Sequence, residues 1–264
     1  MPPVLNVYAL PRMVAPEELA GGTVVVIDVL RASTTIVHAL AAGARQVIPC
    51  VGVEEARRIA ADFSPGEAVL GGERNGLRID GFDLGNSPSE YTPQTVGGRT
   101  LVFTTTNGTQ AMAVCRKADR VLIGAFVNAQ AVCDGLAGQQ RIHLLCSGTR
   151  GEVGRDDVLL AGLLVDRLQR RGGLVYTINT QVIAARESWV SLFAVPVPMD
   201  AEPMDPELLA RELRKSPGGR NLTAIGLEED ILAAAQLDCF DCVPEMNPQT
   251  MRIGIGGEER GAAQ

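Results

Sequence analysis

The feature that most limits the fold is a run of four β-branched residues at 24–27, which passes through a short polar loop into a helical pattern. An uninterrupted apolar run predicts a strand that is buried on both faces. Further strands are predicted at 4–10, 46–50, 67–70, 100–103, 120–124 and 141–145. Because helical patterns separate most of these strands, we expect an α/β fold with a largely parallel sheet flanked by helices on both faces.

The last third of the chain follows this alternation less closely. Its predicted helices lie at 156–171, 179–193, 205–214 and 227–236, and 216–221 is predicted to be a loop because it contains Pro217, Gly218 and Gly219. Two earlier helices are predicted at 53–62 and 128–136, and Ser87 to Glu90 has the pattern of a short helix start. Some antiparallel strands are expected in the C-terminal third or at a sheet edge.

No clear linker divides the chain, which predicts a single α/β domain over residues 1–250 and a short C-terminal tail at 251–264. Segment 24–50 resembles segment 100–126, because both read as strand, hydroxyl-rich loop, small-residue helix and strand. Two similar α/β halves would explain this likeness, and so would the ordinary repetition of βαβ units. The sequence leaves both explanations open.

The charge of the chain limits its partners. With 264 residues, a net charge of −7 and no compensating basic run, the chain is not expected to bind nucleic acid or a membrane surface. No segment approaches the roughly 20 apolar residues of a membrane span. The first residues lack the layout of a signal peptide, so a cytoplasmic protein is expected. A homodimer is compatible with the sequence, which does not define the oligomeric state.

Polar loops follow four of the predicted strands, at 28–35, 71–76, 104–109 and 146–157. The carboxyl ends of parallel strands meet at one edge of a sheet, so we expect these loops to form one site. Together they contain the carboxylates Asp28, Glu73, Asp156 and Asp157 and the guanidinium groups Arg31, Arg74, Arg150 and Arg155. Carboxylates can hold Mg²⁺ and arginine binds phosphate, and metal-assisted attack on phosphorus needs both. The simpler alternative is that each loop is an ordinary turn or helix cap.

Other chemistries fit less well. The chain has no GxGxxG motif, no P-loop and no Asp-x-Asp after a strand, and its two histidines, His38 and His143, fall in a predicted helix and a predicted strand. Cys146 ends a strand and is therefore a candidate nucleophile, with a buried thiol that lines the pocket as the alternative. The pair Cys239 and Cys242 has no second pair at zinc spacing.

Several motifs resemble the 2-phosphosulfolactate phosphatase family: VVIDVLRASTTI, GGERNGLRIDGFDLGNSPSEY, TTTNGTQA, CSGTRGEVGRDDVLLAG, GLEEDILAAAQLD and VPEM. The resemblance covers about residues 5–246. It implies a Mg²⁺-dependent phosphatase of (R)-2-phospho-3-sulfolactate, a small anionic organophosphate on the route to coenzyme M. Asp156-Asp157 replaces an expected Glu-Asp, and Ala235 and Gln236 stand where a Cys is expected. The substrate therefore stays open to another phosphorylated hydroxy acid, and a non-catalytic oxyanion-binding protein is the second alternative.

Roles follow from the loops and the resemblance together. Asp28, Glu73 and Asp157 are expected to bind Mg²⁺. Asp28, Arg31 and Cys146 are the candidate catalytic residues. The expected phosphate-binding residues are Ser33, Thr34, Arg74, Thr106, Asn107, Gly108, Thr109, Ser147 and Gly148. The attacking group is left open among metal-bound water, Asp28 and Cys146, and Asn86 and Ser87 are motif positions without an assigned role.

Overall fold

The computed structural model describes residues 2–193 and 204–256. Eleven strands form one sheet: β1 (Val4–Tyr8), β2 (Thr23–Ile27), β3 (Gln46–Pro49), β4 (Ala68–Arg74), β5 (Leu77–Arg78), β6 (Thr100–Thr104), β7 (Arg120–Gly124), β8 (Arg141–Cys146), β9 (Thr177–Ile178), β10 (Pro244–Met246) and β11 (Ile253–Ile255). Their spatial order is β5-β4-β6-β3-β11-β10-β7-β2-β8-β1-β9. The predicted class, a largely parallel sheet with helices around it, is confirmed.

The sheet consists of two parallel half-sheets joined by a hairpin. Strands β4, β6 and β3 are parallel to one another, as are β7, β2, β8, β1 and β9. Between them, β10 and β11 pair antiparallel with each other, β10 pairs antiparallel with β7, and β11 pairs antiparallel with β3. Three successive antiparallel pairings mean that the two half-sheets run in opposite directions.

The two half-sheets share part of one hydrophobic core. Strands β6 and β2 are five positions apart, which is about 24 Å in a flat sheet. Residues of both strands nevertheless share one core cluster, including Val26 of β2 and Phe103 of β6. Neighbouring strands are rotated by roughly 20–25°, so five steps rotate the strand direction by roughly 100–125°. A rotation of this size would turn the carboxyl ends of the two opposed half-sheets towards each other.

Ten α-helices lie in the described residues: α1 (Ala32–Ala41), α2 (Val53–Ala60), α3 (Pro93–Val96), α4 (Gly108–Val114), α5 (Ala129–Gly135), α6 (Arg155–Arg171), α7 (Thr180–Phe193), α8 (Pro206–Leu213), α9 (Pro217–Ala224) and α10 (Glu228–Ala234). Val24 and Val26 of β2 pack with α1 and α4 on one face of the sheet, while Val25 and Ile27 pack with α5, α6 and α7 on the other. This alternation explains why the whole strand is apolar.

The two similar segments of the sequence cross between the half-sheets in opposite senses. The first, 24–50, runs from β2 through α1 to β3, and the second, 100–126, runs from β6 through α4 to β7. Each segment therefore begins in one half-sheet and ends in the other. Whether they are two halves of a duplicated unit stays a prediction.

The C-terminal third contains most of the differences from prediction. The predicted loop at 216–221 is the start of α9, because the Ser216 hydroxyl accepts the Gly219 N–H at 2.9 Å and Pro217 occupies the first helical position. Ser87 to Glu90 forms only a single turn of 3₁₀ helix, without a side-chain cap at Ser87. Ile253–Ile255 forms β11 within the segment predicted as a tail, and residues from 257 onward lie outside the described residues.

Among the described residues, no helix is both long and apolar enough to cross a membrane.

Candidate active site

A pocket of about 240 Å³ lies between the loops that follow β2, β4, β6 and β8. Its lining includes Asp28, Leu30 and Arg31; Glu73, Asn75 and Gly76; Thr105, Thr106 and Asn107; and Thr149, Arg150 and Glu152. The predicted convergence of the four polar loops is therefore confirmed. The four loops do not lie at one edge of a single parallel sheet as expected, because they follow strands of two opposed half-sheets.

Asp28 is a buried carboxylate of this pocket, with 5% of its surface exposed. Its Oδ1 accepts the N–H of Ala32, the first residue of α1, at 3.2 Å. Burial raises the pKa of Asp28 to about 7; the Ala32 N–H opposes this effect, and the nearby Asp156 and Glu73 carboxylates add to it. Asp28 can therefore hold or release a proton near neutral pH.

Arg31 is the buried guanidinium of the pocket. Its Nη1 donates to Asp230 Oδ2 at 2.6 Å, and its Nη2 donates to the Gly76 carbonyl at 2.7 Å. Asp230 belongs to α10 and is buried as well. Since a guanidinium carries five N–H donors, Arg31 keeps donors for a ligand while its charge is paired.

Arg150 is the second guanidinium in the pocket wall, and it is exposed. Its backbone N–H donates to Asn107 Oδ1 at 3.0 Å, and its Nη2 donates to Asn75 Oδ1 at 3.2 Å. These bonds connect three of the four loops. The pocket thus has one buried and one exposed cation, which suits an anion that enters from solvent.

Glu73 holds two loops together. Its Oε1 accepts the Thr106 N–H at 2.8 Å, and its Oε2 accepts the Gly76 N–H at 2.6 Å. Arg74, a predicted phosphate ligand, donates from Nη2 to Thr104 Oγ1 at 2.9 Å and does not line the pocket. Side chains alternate along β4, so Glu73 and Arg74 point to different sides.

Asp157, a predicted metal ligand, lies outside the pocket lining. Its Oδ1 accepts the Val29 N–H at 2.9 Å, and its Oδ2 accepts the Gly148 N–H at 2.9 Å. Burial raises the pKa of Asp157 well above its usual range, and Asp156 and Asp28 add to the effect. With both oxygens bonded to backbone, Asp157 joins the loops after β2 and β8.

The hydroxyl groups at the helix starts bond within their own loops. Ser33 Oγ accepts the Asp28 N–H at 2.8 Å, Thr34 Oγ1 donates to the Val29 carbonyl at 2.8 Å, and Thr109 Oγ1 donates to the Thr105 carbonyl at 3.0 Å. Ser33, Thr34 and Thr109 were predicted to bind phosphate. Short hydroxyl side chains readily bond to nearby backbone groups, and here these bonds shape the loops. Phosphate binding by the three residues stays a prediction.

The remaining predicted phosphate ligands lie at or beside the pocket. Thr106 and Asn107 line it, and a Cβ atom at Gly108 would lie 2.7 Å from Asp28 Oδ2, so only glycine fits there. Ser147 lines a neighbouring pocket of about 290 Å³ that also includes Asn107. Gly148 has φ +65° and donates its N–H to Asp157, so its N–H is already used.

Cys146, a candidate nucleophile, lies in the hydrophobic core. Its side chain is fully buried in the cluster that includes Val29 and Leu159, and it lines neither pocket. Burial raises the pKa of the thiol well above its usual range, and Asp157 and Asp156 add to this. The buried, protonated thiol is the wrong species for attack on phosphorus. The alternative prediction, a buried thiol that lines the pocket, fits the burial of Cys146 but not its position.

Two parts of the site were not predicted: Asp230 pairs with Arg31, and α9 contributes Pro217, Gly218, Asn221 and Leu222. Asn86, a motif position without an assigned role, also lines the pocket. Asn86 and Asp230 do lie within motifs that carry the family resemblance. Their function, however, depends on contacts with residues far away in the chain, which no local pattern shows.

The pocket suits a hard cation such as Mg²⁺. Asn86 Oδ1, Thr105 Oγ1 and Thr106 Oγ1 are buried oxygens without a hydrogen-bond partner in the part of the chain that the structure describes. Leaving such atoms unpaired costs free energy, so a cation or ordered water is expected beside them. No group of three His, Cys, Asp or Glu side chains in the described residues could hold a metal. Mg²⁺ does not need such a group, because it commonly uses one or two carboxylates with waters and substrate phosphate.

Sequence comparisons give the family. Residues 8–249 match the sequence model of 2-phosphosulpholactate phosphatase. The chain belongs to the 2-phosphosulfolactate phosphatase family. A protein of Symbiobacterium thermophilum named "Probable 2-phosphosulfolactate phosphatase" is 41% identical over 229 residues, which are 86% of this chain and 92% of that protein. Proteins of the same name from Caldanaerobacter subterraneus subsp. tengcongensis and Thermotoga maritima are 34% and 36% identical, over 94% and 85% of this chain and 97% and 88% of their own lengths.

Membership of the 2-phosphosulfolactate phosphatase family confirms the predicted enzyme class, a phosphoric monoester hydrolase, and with it a small phosphorylated substrate. The matched range includes every site residue named above, from Asp28 to Asp230. The pocket therefore lies within the part of the chain that matches the family.

Proposed function

We propose that the protein hydrolyses (R)-2-phospho-3-sulfolactate to 3-sulfolactate and phosphate and that it requires Mg²⁺. The observation that carries the proposal is the meeting of Arg31, Arg150 and Asp28 in one pocket. The two guanidinium groups match a ligand that carries several negative charges. A buried carboxylate beside them serves such a ligand only when a cation offsets its charge.

The proposed substrate has a phosphate ester, a carboxylate and a sulfonate on three carbons. Arg31 is positioned to bind the phosphoryl group, because its paired, buried guanidinium is held in one orientation. Arg150 can bind a second anionic group at the open side of the pocket. Planar guanidinium groups bind such oxyanions with two parallel hydrogen bonds.

Asp28, together with the unpaired oxygens of Asn86 and Thr105, would hold the cation. Bound there, Mg²⁺ would supply charge neutralisation on the phosphoryl oxygens. Glu73 fixes the backbone of Thr106 and Gly76 around it. In the reaction, a water oxygen adds to phosphorus, the bond from phosphorus to the C2 oxygen breaks, and a proton from that water ends on the departing C2 oxygen, which becomes the hydroxyl of 3-sulfolactate. Arg31 stays charged throughout and stabilises the charge on the transferring group.

The test measures phosphate release from (R)-2-phospho-3-sulfolactate with Mg²⁺ and with excess EDTA. We expect turnover only with Mg²⁺, and Asp28→Asn should lose it. Turnover that EDTA leaves unchanged would contradict the metal requirement. Other phosphorylated 2-hydroxy acids belong in the same assay, since faster hydrolysis of one of them would replace the substrate. Binding of phosphate esters without any turnover would favour the oxyanion-binding alternative.

We also propose that this reaction serves the route to coenzyme M in the cytoplasm. Deletion of the gene should then lower coenzyme M and raise its phosphorylated precursor.

Size-exclusion chromatography with light scattering would test whether the protein is a homodimer.

A further inference from the structure

Asp230 reaches the pocket from a distant part of the chain and contacts two of its walls. Its Oδ2 accepts Arg31 Nη1, and its Oδ1 accepts the hydroxyl of Ser87, next to the pocket residue Asn86. The side chains of Arg31 and Asp230 are 3% and 4% exposed. One buried carboxylate therefore ties together the loop after β2 and the loop after β5.

The geometry around Arg31 leaves little freedom. Asp230 holds Nη1, and the Gly76 carbonyl holds Nη2, so both ends of the guanidinium fork are fixed. Each of these nitrogens has a second N–H, and Nε has one, which leaves three donors. A guanidinium held at two points loses less entropy on binding an anion than a free one.

An ion pair that only stabilised the fold would not need to hold Arg31 in one orientation at the wall of a polar pocket. Burying an arginine and an aspartate together is often no more stable than an apolar pair, because both charges lose their hydration. Here Arg31 lines a polar pocket, and its partner Asp230 lies in the first turn of α10, where the helix dipole favours a carboxylate. The position of Asp230 is explained if the arginine must face a ligand in one orientation.

We infer that Asp230 is a positioning residue that orients the Arg31 guanidinium towards the phosphoryl group and, through Ser87, fixes the Asn86 wall. This inference rests on the proposed function, because it requires an oxyanion at Arg31. It adds a residue of α10 to the machinery built by the four loops.

The first test is a double-mutant cycle with Asp230→Asn and Arg31→Lys. A misoriented catalytic group can cost roughly 10²-fold in rate, so Asp230→Asn should lower kcat/KM by about that factor. If Asp230 acts through Arg31, adding Asp230→Asn to Arg31→Lys should lower kcat/KM by less than about threefold. Losses that simply multiply, or an unchanged kcat/KM in Asp230→Asn, would overturn the inference.

Asp166 provides the matched control. It is a buried aspartate in α6 that pairs with Arg170 at 2.6 Å and Arg186 at 2.9 Å, and it does not line the pocket. Asp166→Asn should lower the melting temperature while keeping kcat/KM. If Asp230→Asn does not fold, Asp230→Glu replaces it, since it keeps the charge and moves it by one methylene. A kcat/KM equal to that of the wild type in Asp230→Glu would then overturn the inference.

A binding measurement separates this inference from the proposed substrate. Calorimetry with inorganic phosphate and Mg²⁺ requires no turnover. We expect the Kd to rise at least tenfold in Asp230→Asn and to stay unchanged in Asp166→Asn. If this result is obtained and the protein does not hydrolyse 2-phosphosulfolactate, the proposed substrate is refuted and the role of Asp230 is supported. Equal phosphate affinity in wild type and Asp230→Asn, or no phosphate binding by the wild type, would refute the role itself.

Discussion

Asp28 combines two properties that oppose each other: it is nearly fully buried, and the proposed chemistry needs it charged. Its pKa is raised to about 7 mainly by burial, so the folded protein binds a proton that the unfolded chain releases near pH 4. Between those values, each rise in pH lowers the free energy of unfolding. Ionisation of Asp28 therefore destabilises the folded protein above pH 7. Below about pH 4 the residue is protonated and has no such effect.

Asp28→Asn should accordingly make the protein inactive and more stable. At pH 8 and without metal, we expect its free energy of unfolding to exceed that of the wild type by up to about 4 kcal/mol, the equivalent of three pKa units. The gain should vanish near pH 4. Urea denaturation in EDTA at both pH values measures it. An Asp28→Asn variant that is less stable than the wild type at pH 8 would contradict this reasoning.

His143 should have the opposite effect on the pH dependence of the free energy of unfolding. Its ring stacks on Tyr8 with centroids 5.9 Å apart, neither ring nitrogen has a partner among the described residues, and burial lowers its pKa to about 4. The unfolded chain therefore binds the proton first as pH falls. We expect His143 to remove stability between pH 6.5 and 4, by about 3 kcal/mol in total. In His143→Phe, urea denaturation should show a flatter pH dependence over that window; an equal slope would contradict the assignment.

The place of Asp28 and Arg31 in the pocket could be predicted from the sequence, because both follow a recognisable strand. The backbone bonds of the Ser33 and Thr34 hydroxyls could not, and phosphate binding by these two residues stays a prediction. Asp230 was beyond reach for another reason: it is 199 positions from Arg31, and only the folded chain brings them together.

Among the helices, α6 and α7 pack unusually closely at Gly162. A Cβ atom at this position would lie 2.1 Å from the Ala185 carbonyl oxygen and 2.8 Å from the Trp189 Cβ. The backbone of Ala185 cannot move away unless the whole of α7 shifts. The glycine is therefore required by the approach of the two helices and not by its own backbone angles.

Gly162→Ala should destabilise the protein by roughly 1–3 kcal/mol or more, the usual range for overpacking a core. The matched control is Gly135→Ala in α5, where the nearest atom, Leu122 Cδ1, would be 3.7 Å away. That change should be neutral or stabilising by up to roughly 1 kcal/mol, since alanine favours helix. Chemical denaturation compares the two, and equal effects would contradict the packing argument.

Strands and helices with strong periodicity could be predicted, as β2 and α6 show. Helix α9 was missed because Gly218 and Gly219 resemble a loop, although Ser216 and Pro217 are a good helix start. Strand β11 was missed because three residues near a glycine-rich end carry almost no pattern. The strand is defined by its two partners: β3, which lies far away in the chain, and β10, which lies across a turn.

For the molecule as a whole, the hairpin of β10 and β11 joins the two half-sheets. Ile253 is fully buried against the core that contains α1 and α4, whereas Ile255, two residues later, is 42% exposed. The rule that parallel strands place their loops at one edge predicted the right convergence. The four loops in fact follow strands of two half-sheets that this hairpin joins in opposite directions.

Ile253→Ala should therefore destabilise the whole fold by roughly 2–5 kcal/mol, despite its position near the end of the described residues. Ile255→Ala, the matched control, should cost less than about 1 kcal/mol. Urea denaturation followed by both fluorescence and circular dichroism measures the two. Should both variants be equally stable, the hairpin would not join the half-sheets in solution.

The central position of this hairpin also has a consequence for synthesis. Chains emerge from the ribosome with the N-terminal end first, and β10 and β11 leave it after every other described strand. Until then, β3 and β7 each present an unpaired edge. The nascent chain thus carries two incomplete half-sheets that need protection from wrong pairing. Their edges are covered only when the last two strands are inserted between them.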